Sequence, residues 1–115
     1  MDAAFKDKID GLIHQNKVLL FVKGTKQFPQ CGFSNAVIQI FKEIGAPFET
    51  VNILADQEIR NGMKEYSQWP TFPQVYVGGE FVGGCDIVRE MHAKGELAPM
   101  VKAQFAAPQD EKKPA

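Results

Sequence analysis

Cysteine is scarce in this chain of 115 residues, and the scarcity is informative. Two cysteines, Cys31 and Cys85, are too few for a fold stapled by disulfides. The context reads as intracellular and reducing, where a cysteine is more often reactive or metal-binding than structural. An excess of charge of either sign is missing too. Lys and Arg number 13, Asp and Glu 14, the formal net charge is −1, and no basic block stands out. Nucleic acid is therefore not expected as the main ligand, although a small basic pocket for anions remains open. No apolar run approaches the roughly 18 residues that a membrane helix needs. The segment from Met1 to Asp7 lacks the basic-then-apolar layout of a secretory signal. An organelle transit peptide trimmed from the chain is compatible with the same residues. Neither an internal repeat nor a second domain is visible, and the length suits one hydrophobic core.

What is present is strong alternation of element type. Phe5, Ile9, Leu12 and Ile13 recur at helical spacing between charged residues, predicting an amphipathic helix over 3–15. Val18 to Val22 is a continuous apolar run rich in β-formers, as in a central strand covered on both faces. A polar loop, 23–30, follows. Val37, Ile40, Phe41 and Ile44 mark a second helix, closed by Gly45 with Pro47 beyond. Residues 48–52 alternate as a short strand, and Asp56 is placed to cap a third helix with Ile59, Met63 and Tyr66 on one face. Short connections between these elements imply an α/β layer fold whose first two strands are parallel.

Further on, Trp69-Pro70-Thr71-Phe72-Pro73 is a proline-flanked turn. Gln74 to Val77, Gly78-Gly79 and Glu80 to Val82 carry a hairpin signature. Gly83-Gly84-Cys85-Asp86 opens a fourth helix, and Leu97, Met100, Val101 and Phe105 suggest a last short one. Residues 106–115 hold Pro, Lys, Glu and Asp without periodicity, so they are expected to be a disordered tail after a domain spanning 1–105.

The chemistry concentrates at Phe28-Pro29-Gln30-Cys31-Gly32-Phe33-Ser34. Cys31 falls where a buried strand hands over to a helix. Unpaired N–H groups at a helix start favour thiolate over thiol, which marks Cys31 as a functional sulfur rather than a buried inert one. Ser34 stands where a second cysteine would make a C-x-x-C pair, so no disulfide can close within this motif; it is read as a cap of the following helix. Lys23 ends the central strand on the same side as Cys31, where its ammonium can meet an anionic ligand or the thiolate. At Gly83-Gly84-Cys85-Asp86, free backbone N–H groups can hold a carboxylate, while the Asp86 side chain can take an ammonium, serve as an N-cap, or do both. Cys85 is either a small helix-start residue or a resolving thiol for Cys31. His14, His92 and Trp69 are read as structural.

Lys23-Gly24-Thr25, Cys31-Gly32-Phe33-Ser34, Trp69-Pro70-Thr71-Phe72-Pro73 and Gly83-Gly84-Cys85-Asp86, in this order and spacing, resemble a monothiol glutaredoxin of the CGFS class over about residues 5–104. The resemblance implies a thioredoxin-like fold, with a central four-stranded mixed sheet flanked by about five helices. It implies a glutathione site: Lys23 and Arg60 on the glycyl carboxylate, Thr71 and Phe72 beside a cis Pro73 along the peptide, and Gly84, Cys85 and Asp86 at the γ-glutamyl end. Seven residues separate Lys23 from Cys31, a longer loop than in dithiol members, which is expected to redirect the bound glutathione sulfur.

Two functions fit. A [2Fe–2S] cluster wants four ligands, usually thiolates. Cys31 from each chain of a homodimer and two glutathiones supply them, making a labile cluster suited to transfer. The class also implies BolA-like proteins and iron–sulfur recipient proteins as partners. The alternative is a glutathione-dependent thiol–disulfide oxidoreductase that deglutathionylates proteins through Cys31, with Cys85 resolving. The resemblance favours the plastid stroma, with bacterial cytoplasm and mitochondrial matrix also compatible.

Overall fold

The computed structural model describes residues 2–106. The expected disordered tail lies outside these residues, except for Ala106, which closes the last helix. Helix α1, Ala3–Gln15, starts at Asp2, whose carboxylate accepts from the Ala4 N–H. Its buried stripe is Phe5, Ile9 and Ile13, one residue every turn as the spacing predicts.

Strand β1, Val18–Val22, is buried at every position. It is central because both faces are apolar. Strand β2, Glu49–Asn52, pairs with it in parallel, with Leu20 opposite Thr50. Strand β3, Gln74–Val77, pairs with β1 antiparallel, and β4, Glu80–Gly83, closes the hairpin. The order across the sheet is β2-β1-β3-β4. Gly78 and Gly79 both have positive φ, 62° and 84°, as a two-residue hairpin turn of this hand requires.

Alternation along the strands sorts the core onto two faces. Val18, Leu20, Val22, Val75 and Val77 point toward α2 (Gly32–Ile44), α4 (Cys85–Ala93) and α5 (Leu97–Ala106). Leu19, Phe21 and Tyr76 point toward α1 and α3 (Gln57–Ser67). The result is a mixed sheet sandwiched between helices, so the end of β1, the start of β3 and the starts of α2 and α4 converge at one edge. Asp56 caps α3 as expected, its carboxylate accepting from the Ile59 N–H at 3.1 Å. Helix α2 ends at Gly45, φ 86°, the left-handed cap read from the sequence.

The stretch 23–30 is more ordered than a polar loop. Gly24 and Pro29 pair as an antiparallel bridge, Gln30 N–H donates to Lys23 O at 2.8 Å, and Thr25 N–H donates to Phe28 O at 3.1 Å. The chain folds back so tightly that a Cβ on Gly24 would lie 2.6 Å from both Gln30 N and Phe28 O. Its φ of +102° also suits only glycine.

Candidate functional site

Cys31 is the N-cap of α2, with extended backbone (φ −146°, ψ 136°) and no side-chain capping bond of its own. The first-turn N–H groups still favour negative charge at the sulfur. The Ser34 backbone N–H is the largest influence holding the Cys31 thiol below the ordinary thiol range. Partial burial opposes it; the Phe33 N–H, the Lys23 charge and the Ser34 hydroxyl reinforce it. This is the helix-start activation read from the sequence, acting through two specific donors.

Ser34 corrects the sequence reading. It is fully buried inside the first turn of α2, and Cys31 is the cap. Its hydroxyl oxygen accepts from the Lys23 N–H at 3.0 Å. Ser34 thus ties the end of β1 to the start of α2, and its hydroxyl also favours the Cys31 thiolate. For Asp86 the capping alternative likewise fails. Gly84 is the N-cap of α4, and Asp86 lies in the first turn with an exposed side chain.

A cleft of about 440 Å³ opens beside Cys31. Lys23 and Cys31 form one wall, and Arg60 reaches in from α3. Thr71, Phe72 and Pro73 also line it, with the Phe72–Pro73 peptide bond cis. Gly84, Cys85 and Asp86 complete it at the start of α4. All nine residues singled out in the sequence thus share one cleft. Cys31 is half-buried and Cys85 buried, and both are free thiols. Cys31 also borders a shallower depression formed with Pro29, Gln30, Gly32 and Asn35.

Sequence reasoning missed Phe33, Lys64 and Trp69, which also line the cleft. Lys64 was legible: it lies one helical turn after Arg60 and so on the same face. Trp69 packs on Phe81 with ring centroids 5.8 Å apart, as the packing reading implies, but its other side faces the cleft beside Gly84. Phe33 is well exposed at the rim, a position that helix periodicity alone does not mark as functional. The two histidines do not line the cleft; His14 Nδ1 is 2.7 Å from Asp10 O, and His92 Nε2 is 3.1 Å from Glu43 Oε1.

The donor set suits a small zwitterionic peptide: two cations at one end, and a helix N-terminus with a carboxylate at the other. Among the described residues, no group of three His, Cys, Asp or Glu side chains comes together to hold a metal ion. No helix among the described residues is long and apolar enough to cross a membrane.

A helix-start thiol beside a cis-proline turn, on a four-stranded mixed sheet between helices, defines a thioredoxin-fold thiol protein. The glutaredoxin family model matches residues 18–82. A monothiol glutaredoxin of Synechocystis sp. is 57% identical over 107 residues, covering 93% of this chain and 100% of that protein. A chloroplastic monothiol glutaredoxin of Arabidopsis thaliana is 57% identical over 84% of this chain, which spans only 56% of the plant protein. The solution structure of a reduced apo glutaredoxin from poplar matches with a TM-score of 0.78 and 53% identity, over 90% of this chain and 94% of that one. A buckwheat glutaredoxin–glutathione complex matches with a TM-score of 0.77 and 29% identity, over 88% and 90%. The chain belongs to the glutaredoxin family, in its monothiol class.

Proposed function

We propose that this chain binds glutathione in the cleft beside Cys31 and, as a homodimer, carries a labile [2Fe–2S] cluster in iron–sulfur cluster assembly and transfer. The charge layout of the cleft supports the first part. Lys23 and Arg60 take the glycyl carboxylate. Thr71 and the backbone around Phe72–Pro73 take the peptide. The N-terminus of α4 at Gly84 and Cys85 takes the γ-glutamyl carboxylate, and Asp86 its ammonium. The buckwheat relative, solved as a glutathione complex, has the same fold. The observation that carries the second part is that Cys31 is an activated, half-exposed thiol in the cleft, with Ser34 rather than a thiol one turn away. Such a sulfur supplies one ligand and leaves the other three to glutathione and a second chain. The cluster is cargo, so recipient iron–sulfur proteins and BolA-like proteins are the partners. The names of the relatives support the plastid stroma or bacterial cytoplasm as the compartment.

Glutathione titration tests the site. One charge-assisted hydrogen bond of about 1.5–3 kcal/mol corresponds to roughly 10- to 100-fold in affinity, and solvent screening puts Lys23→Ala and Arg60→Ala near the lower figure. Unchanged affinity in both variants removes the proposed carboxylate site.

A second reading is favoured by one observation: Cys85 lines the same cleft as Cys31. In it the Cys31 thiolate attacks a glutathionylated protein at the glutathione sulfur and releases the protein thiolate. The Cys85 thiolate then attacks Cys31, displacing glutathione and leaving a Cys31–Cys85 disulfide, which two further glutathiones reduce as they form glutathione disulfide. Peptide mass spectrometry after mild oxidation decides this: without a Cys31–Cys85 bridge, the resolving role goes.

A further inference from the structure

Resting on the glutathione reading, we infer that Lys26 and Asn52 are positioning residues that clamp the segment between Lys23 and Cys31 onto β2 and the Phe48 that precedes it, so that ammonium and thiol reach the cleft as one rigid unit. Neither residue lines the cleft, so neither touches the ligand. Each reaches across the fold to hold this segment. Asn52, the last residue of β2, accepts with its Oδ1 from the Gly24 N–H at 2.9 Å and from the Leu54 N–H at 3.0 Å. Lys26 Nζ donates to Phe48 O at 2.6 Å and lies 4.4 Å from the centroid of the Phe48 ring. Phe48 is buried and packs on Phe41 of α2, with centroids 5.9 Å apart. The clamp therefore ends on the helix that Cys31 caps.

The two ends of the segment are themselves coupled. Gln30, immediately before Cys31, donates its N–H to the carbonyl of Lys23. Displacing the segment moves both functional groups. Its outer residues Thr25, Gln27 and Phe28 are exposed, so the clamp contacts supply the ties that packing at the tip does not. Seven unfixed residues would cost ligand binding the entropy of ordering them; fixing them beforehand removes that cost.

The test compares the full chain with Lys26→Met, Lys26→Arg and Asn52→Ala. Methionine keeps an apolar stem over Phe48 and removes the ammonium; arginine keeps both the donor and the ring contact. Reduced glutathione is titrated by calorimetry well below each melting temperature, and alkylation of Cys31 by iodoacetamide at fixed pH is followed by peptide mass. Lys26→Met is expected to bind glutathione about tenfold more weakly, the equivalent of one 1.4 kcal/mol contact. It should also alkylate more slowly. Asn52→Ala should move both readings the same way, and Lys26→Arg should restore them. Variants that match the parent chain in both readings, even with lowered melting temperatures, make the clamp merely structural and overturn the proposal. So does a failure of both Lys26→Met and Asn52→Ala to fold. If the parent chain itself does not bind glutathione, the underlying reading fails instead, and the alkylation rates alone decide the clamp.

Discussion

Ser34→Ala separates two views of the motif, because it removes one oxygen and adds nothing. Were Ser34 only the place of a missing second thiol, alanine would be harmless. In the fold its hydroxyl is fully buried and is the acceptor for the Lys23 N–H at 3.0 Å. Alanine leaves that N–H without its partner at a part-buried joint between β1 and α2. An unsatisfied buried donor costs about 1–3 kcal/mol, and we take about 2 kcal/mol here. For a chain of this size that is a fall in Tm of roughly 10 °C. Differential scanning calorimetry of the reduced protein measures it directly. The same variant loses the hydroxyl's stabilisation of the Cys31 thiolate, so the thiol should titrate higher. A Tm within about 2 °C of the parent would refute the argument, since a single buried hydrogen bond cannot be lost at so small a shift.

Gly24→Ala should be more damaging. Its Cβ would meet backbone atoms of Phe28, Pro29 and Gln30, which cannot rotate away, so thermal unfolding should show a loss of about 2–4 kcal/mol from strain and one or two broken hydrogen bonds. Cys31 should alkylate with a pH midpoint below the roughly 8.5 of a free thiol. Because its folded value is depressed, the associated stability is present above the unfolded thiol value and is lost as pH falls through the folded one. A midpoint at or above a free thiol would mean that the Ser34 and Phe33 N–H groups do not reach the sulfur. Tyr66→Phe should let Asp10, held low first by the Tyr66 hydroxyl and then by Lys6, titrate closer to its ordinary value, which carboxyl NMR shifts would report.

The elements were legible because each is marked locally. The β1 run, the Asp56 cap, the Gly45 stop and the Gly78-Gly79 turn all announce themselves within a few residues. All of the singled-out cleft residues but Arg60 lie in four short motifs; Arg60 follows from the family resemblance. What stayed hidden is contact across sequence distance. Ser34 looked like a cap because serine in a first helical turn usually is one; its true partner, the Lys23 N–H, lies 11 residues back. Lys26 and Phe48 are 22 apart and Gly24 and Asn52 28 apart, so the segment read as an unremarkable polar loop. Trp69 was read as packing because the indole does pack on Phe81; that its second face borders the cleft depends on where α4 begins.

Cys31 is proposed to be one ligand of a shared cluster rather than a turnover nucleophile. Native mass spectrometry of protein reconstituted without air, with iron, sulfide and glutathione, tests it most directly. The account predicts one [2Fe–2S] unit on two chains and two glutathiones, absent from Cys31→Ser and lost when glutathione is removed. A colourless monomer, or a cluster retained without glutathione or without Cys31, would contradict it.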